Sequence, residues 1–298
     1  MNLKSPAIAV NHRRNRFKNN HPLIFILLFT ILIATSAMVL TACKRTVEES
    51  LKRANKAWNS EDYETAAEEY ERYLQTYPTG EPALEARFQL ANICYFHLKR
   101  YEQARTQYVE FINQSPAHPQ VPAARERLAE VLSELGRSYE AIAEYENLNL
   151  PDPDERRRIR LRIADLYYDQ KNYSQALTEY EKVVSHADYD LMTEQALLRE
   201  ASIYHLTRNQ YKEALAIYQR LLSESSDAKV KLRATYGVAD CYGEMFEIEN
   251  AVKTLRSIED KSEQAYIAKR IAELEGRRRE ATQAREAIQK AAPVGGEQ

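Results

Sequence analysis

The sequence predicts an all-α fold: an α-solenoid of about six helical hairpins closed by a C-terminal capping helix. Three observations carry that expectation. Six alanines, Ala66, Ala104, Ala141, Ala176, Ala214 and Ala251, recur at near-equal intervals along the chain, and a regular period of this kind marks stacked repeats. Aligned side chains accompany them at helical spacing. Only seven glycines and ten prolines interrupt 298 residues, which leaves room for long helices.

Each alanine sits in the second helix of a hairpin. Tyr70, Tyr108, Tyr145, Tyr180, Tyr218 and Leu255 stand four places later, and Tyr73, Phe111, Leu148, Val183, Leu221 and Ile258 seven places later. Tyr63, Tyr101, Ser138, Tyr173, Tyr211 and Ile248 stand three places earlier. Steps of three, four and three lay all four columns along one helical stripe. Alanine belongs where two paired helices approach most closely, and the aromatic columns fill the space on either side. The first helices carry small or apolar residues at Ala54, Ala91, Leu128, Ile163, Ala201 and Val238. Pro78, Pro116 and Pro151 follow second helices, where a residue without a backbone donor ends them. Residues 47–262 form the repeats; residues 263–291 read as a capping helix or degenerate seventh unit, with Ile267, Ile271 and Leu274 as its apolar stripe. Residues 292–298 read as a disordered tail.

The N-terminus has a different character. Lys4, Arg13, Arg14, Arg16 and Lys18 precede an uncharged run from Pro22 to Leu40, and Leu40-Thr41-Ala42-Cys43 follows. A basic stretch, an apolar stretch and small residues make a secretory signal pattern. The tetrapeptide resembles the lipobox of bacterial lipoproteins, which implies a signal peptide over residues 1–42, a lipidated Cys43 and a short tether over 43–46. The alternative is an uncleaved anchor, since nineteen uncharged residues approach the ~20 needed to span a bilayer. Lys44 after the cysteine, in place of the aspartate that retains enterobacterial lipoproteins at the inner membrane, leans towards the outer membrane.

Composition excludes several functions. The chain has 42 basic and 44 acidic residues, and loss of the five N-terminal cations leaves 37 against 44. A mildly acidic body argues against nucleic acid, whose phosphates need clustered cations. The runs Arg156-Arg157-Arg158 with Arg160 and Arg162, and Arg277-Arg278-Arg279, read as solvated helix faces paired with nearby acids such as Asp154, Glu155, Glu273, Glu275 and Glu280. Isolated glycines build no phosphate loop, and the six histidines form no pair at ligand spacing, so no metal, cofactor or catalytic residue is expected. His97 and His205 read as helix residues rather than ligands. Cys94 and Cys241, on inner helices four units apart, are too distant for a bridge and read as buried free thiols.

The repeat columns resemble the second helix of the tetratricopeptide family, with units slightly longer than that family's ~34 residues. The resemblance implies a groove lined by first helices. Carried over, it takes Leu51, Asn55, Trp58 and Asn59 from the first repeat and Gln89, Ile93, Phe96 and His97 from the second. Glu126, Glu130, Ser133 and Glu134 come from the third, and Arg158, Leu161, Asp165, Tyr168 and Asp169 from the fourth. Such a groove is aromatic at its N-terminal end and acidic in the middle. Trp58 is either an anchor for an extended peptide or packing between the first two hairpins. The family's two-carboxylate clamp is not expected, because Leu51 stands where it needs lysine and Ile93 where it needs asparagine.

A lipobox followed at once by repeats, Tyr77-Pro78-Thr79-Gly80, and the run from Phe111 to Pro119 are similar to the outer-membrane assembly lipoprotein BamD family over roughly residues 47–125. That resemblance implies an envelope scaffold, without catalysis, that helps deliver barrel proteins and reads aromatic-ended signals. The partners it implies are other envelope proteins or peptides in the groove, with the membrane reached through the N-terminal lipid. A tetratricopeptide adaptor for cell-wall synthesis, division (as in the Tol-Pal system) or pilus assembly is the alternative.

Overall fold

The computed structural model describes residues 49–185 and 189–291, together with Ile26 and Phe29. Apart from those two residues, the expected signal segment, Cys43 and its tether, and the tail 292–298 lie outside the described residues. Every described element is helical, and among the described residues no helix is long and apolar enough to cross a membrane.

Two compact units divide the chain, residues 1–99 and 100–298. The first contains α1 (residues 49–59), α2 (Tyr63–Thr76) and α3 (Glu81–Asn92), which runs on into a π turn, Ile93–His97. Arg53 of α1 donates to Glu69 of α2 at 3.1 Å, and Glu69 also holds Arg72. The second unit holds α4 (Tyr101–Gln114), α5 (Val121–Glu134), α6 (Ser138–Glu146), α7 (Pro153–Asp169) and α8 (Tyr173–Val184). It continues with α9 (Leu191–Ser202) and a second π turn, Ile203–Thr207, then α10 (Tyr211–Glu224), α11 (Ala228–Glu244), α12 (Ile248–Arg256) and α13 (Gln264–Ala291). Within it each helix packs on the next in sequence order.

All six aligned alanines are completely buried. The tyrosine column four places later is buried too, ending in Leu255. Burying one such side chain contributes ~1.5–3 kcal/mol, so the columns supply much of the stacking energy. The column seven places later departs from expectation in two repeats. Helices α6 and α12 stop at Glu146 and Arg256, so Leu148 and Ile258 lie beyond the helix ends, and Leu148 is only half-buried.

The first-helix column is more regular than the sequence reading made it. Ala129, Ala164 and Ala239 are buried, each twelve places before its second-helix alanine, the offset at which Ala54 stands before Ala66. Ala91 and Ala201 stand one place further back from Ala104 and Ala214. The extra residue in the second and fifth repeats is absorbed by the π turns, where Leu98 and Arg208 donate their N–H to the carbonyls of Ile93 and Ile203, five residues back. Alanine therefore fills this column six times, and Leu128, Ile163 and Val238 are its buried neighbours.

A third column was not read from the sequence. Glu61, Lys99, Gly136, Lys171, Asn209 and Phe246, each two residues before its second helix, adopt φ between 54° and 71°. In five repeats the next residue closes the first helix. Asp62, Arg137, Asn172 and Glu247 donate to the carbonyl five residues back, whereas Gln210 reaches six back, over its π turn. Glycine holds one of these six left-handed positions and asparagine, which tolerates them, another, so the other four side chains carry strain of ~1 kcal/mol each.

Candidate protein-binding surface

In the first unit the end of α1, the turn into α2 and the π turn after α3 converge. The Trp58 ring meets Tyr63 edge-on at 5.4 Å and His97 at 5.5 Å, while Tyr63 and His97 stack at 3.7 Å with 14° between planes. Trp58 is half-buried, so it packs between elements and still shows part of its ring. Both readings of this residue have a structural basis. His97 is exposed, and Phe96, tilted against Tyr95 at 4.5 Å, is 46% exposed. The π turn puts Phe96 outward by adding a residue to α3 without lengthening the turn that follows.

That insertion corrects two assignments. Ile93 is fully buried and packs in the core rather than lining a groove. The residue after the first-helix alanine is Asn55 in the first repeat and Asn92 in the second. The asparagine that argued against a carboxylate clamp by its absence is therefore present, one place earlier. Leu51 still stands where that clamp needs a cation.

Asn55 itself accepts a hydrogen bond from the Tyr70 hydroxyl at 2.6 Å. Burial, with Glu85 nearby, pushes the Tyr70 phenol up to about 12, so it donates at any physiological pH. Asp165 accepts in the same way from Tyr180 at 2.6 Å. In the first and fourth repeats the polar residue after the first-helix alanine thus ties down the tyrosine of its own hairpin. Gln89 donates to Glu85 at 2.7 Å, and Leu51 is half-buried.

In the second unit the expected acidic stretch is partly neutralised. Arg158 grips Glu126 with two bonds, 2.5 and 3.1 Å, joining α7 to α5. Arg199 lies 3.5 Å from Asp165 and 4.7 Å over the ring of Tyr168, joining α9 to α7. Leu161 is buried; Glu130 is half-buried, and Ser133, Glu134 and Asp169 are exposed.

Arginines 156 to 160 are not one solvated face. Arg157 is buried and donates to both carboxylate oxygens of Asp190 at 3.0 Å, to the Val183 carbonyl and to Thr193. Burial works to raise the Asp190 carboxyl, but the hydrogen bonds from Arg157 and Thr193 outweigh it and hold the group below its ordinary value. Asp190 also caps α9, so Arg157 fastens α7 to the start of the next hairpin. Arg156 donates to the carbonyls of Leu150 and Pro151, and Arg157 keeps an expected neighbour, Asp154, at 3.5 Å. Cys94 and Cys241 are buried free thiols, and burial pushes the latter up to about 12. Nothing in the sequence distinguished Arg157 from Arg156 or Arg158 except its place in the helical period.

Residues 44–125 match a family model described as outer membrane lipoprotein, and residues 161–229 match a tetratricopeptide repeat model. Among solved structures, the chain is similar to a tetratricopeptide repeat protein from Parabacteroides merdae at 17% identity and TM-score 0.52, covering 84% of this chain and 95% of that one. It is also similar to the C-terminal part of a TPR repeat-containing protein from Cytophaga hutchinsonii at 15% identity and TM-score 0.53, covering 69% and 76%. At such identities the likeness concerns the fold. No curated protein matches the chain significantly.

Proposed function

We propose that this tetratricopeptide-repeat chain, whose first two to three repeats resemble the outer-membrane lipoprotein family, is an envelope-anchored scaffold for the assembly of outer-membrane barrel proteins. The observation that carries the reading is the aromatic patch of the first unit. Trp58, Tyr63, Phe96 and His97 all fall inside the matched residues 44–125, and Phe96 stays exposed although most large apolar side chains of these hairpins are buried. An exposed aromatic beside a braced tryptophan suits an extended segment with an aromatic end, bound through a few anchors. Lipid on Cys43 completes the reading, since two or three acyl chains hold a protein durably at a membrane.

Depletion in the host bacterium tests the role. Loss of barrel proteins from the outer membrane is the expected result; chained or filamentous cells with barrels intact would show a wall or division adaptor instead. Cys43→Ala should move the protein to the soluble fraction, and retention at the membrane would show an uncleaved anchor. Trp58→Ala should lower partner capture with helicity kept, whereas loss of folding would show that the residue only packs.

A further inference from the structure

The chain repeats itself on a longer period than one hairpin. Ala66, Ala104 and Ala141 recur 110 residues later as Ala176, Ala214 and Ala251. Helix α3 has its counterpart in α9, the first π turn in the second, α4 in α10 and α6 in α12, each with both ends displaced by those same 110 residues. A π turn inside a helix often marks a functional site. In the first unit it presents Phe96 beside Trp58 and Tyr63; the residues 110 places on are Leu206, Tyr168 and Tyr173.

The geometry repeats with the sequence. Tyr168, near the end of α7, meets Tyr173 at the start of α8 edge-on at 5.7 Å and 74°, as Trp58 meets Tyr63 at 5.4 Å and 69°. Asp165 braces Tyr180 as Asn55 braces Tyr70. Arg208 donates to Ser174 at 3.0 Å, which sets the second π turn against the first turn of α8. The stack of His97 on Tyr63 does this in the first unit. Thr207 replaces His97, and the neighbour that Tyr168 gains is the Arg199 guanidinium, 4.7 Å from its ring. Leu206 is 72% exposed. It borders a cavity of about 320 Å³ with Tyr211, Gly243 and Leu274. The charged groups of that cavity are already matched, Asp240 with Arg270 and Glu244 with Arg277. A cavity with paired charges and an apolar wall suits an uncharged apolar side chain better than an ion.

We infer that the second unit carries a second binding site of the same design, built by Tyr168, Tyr173 and Leu206, for an extended polypeptide segment with an aromatic end. The existence of the site follows from the internal repetition, while its occupant rests on the function proposed for the first unit. All three residues lie beyond residues 44–125, which the lipoprotein model covers. A membrane surface would need a broad apolar face, and Leu206 is followed by exposed Thr207, Arg208 and Asn209.

Titration calorimetry of the full chain counts the sites, with a peptide of about ten residues that alternates polar and apolar side chains and ends in phenylalanine. Two peptides per chain are expected. Leu206→Glu, at an exposed position, should leave one and weaken the other at least roughly tenfold. Phe96→Glu should also leave one, and the two substitutions together none. One peptide per chain, lost with Phe96→Glu and untouched by Leu206→Glu, would overturn this inference and leave the first site standing. One lost with Leu206→Glu and untouched by Phe96→Glu would uphold the site in the second unit and count against the function proposed for the first. No saturable binding, or a dimer in sedimentation that Leu206→Glu dissolves, would overturn the inference.

Discussion

Replacing Gly237 with alanine inverts the usual effect of that substitution. In the interior of a helix alanine is favoured over glycine by ~1 kcal/mol, and Gly237 lies within α11. Here the new methyl would fall 2.4–2.6 Å from three ring atoms of Tyr218. The ring has little freedom to withdraw: Tyr218 is 6% exposed and packs with Leu197, Ala201 and Cys241. Overpacking a fixed core costs ~1–3 kcal/mol, so the net loss after the propensity gain is up to ~2 kcal/mol. Urea unfolding followed by circular dichroism reads this directly, and a second substitution sharpens it. In a Tyr218→Leu background the clash has no ring to meet, so Gly237→Ala should there stabilise by ~0.5–1 kcal/mol. A stabilising effect of Gly237→Ala in the parent protein would refute the reasoning.

The left-handed column gives an opposed pair of predictions. Gly136→Ala meets no atom within 4 Å but keeps φ at 71°, so it should cost ~1 kcal/mol by urea unfolding. Lys171→Gly, at φ 60°, should stabilise by ~0.5–1 kcal/mol. Ala141→Leu should overpack α5 and α6 by ~1–3 kcal/mol, and an unchanged unfolding curve would displace the register of the third repeat. Burial, helped by Glu181 and opposed by Arg220, raises Glu200 to about 7 from 4.5. The folded state thus holds its proton more tightly; the stabilisation is complete below the unfolded pKa and is lost as pH rises through about 7. It amounts to at most ~3 kcal/mol, and Glu200→Gln should flatten stability across that window, with a persistent slope counting against the assignment.

The alanine and tyrosine columns were legible because a close helix approach tolerates only a small side chain, and the same site recurs six times. The π turns were hidden because an inserted residue leaves composition unchanged. Only a slip of one place between the paired alanines signals it, in Ala91 with Ala104 and in Ala201 with Ala214, and that slip displaced Asn92 in favour of Ile93. The left-handed column was hidden for a related reason: four of its members, Glu61, Lys99, Lys171 and Phe246, are not the residues that usually mark such a backbone. Arg157 looked like its neighbours because burial depends on the next hairpin, whose Asp190 lies 33 residues away. The aromatic end of the candidate surface was readable residue by residue. Its geometry was not, since Trp58, Tyr63 and His97 come from three elements.

A photoreactive amino acid at position 96, introduced in the living bacterium, tests the central claim most directly. If the N-terminal unit receives barrel proteins, ultraviolet light should join it to unfolded outer-membrane barrels or their insertion machine, and Trp58→Ala should diminish the adducts. Adducts confined to cell-wall or division proteins, or none at all from a folded and correctly placed protein, would contradict the account.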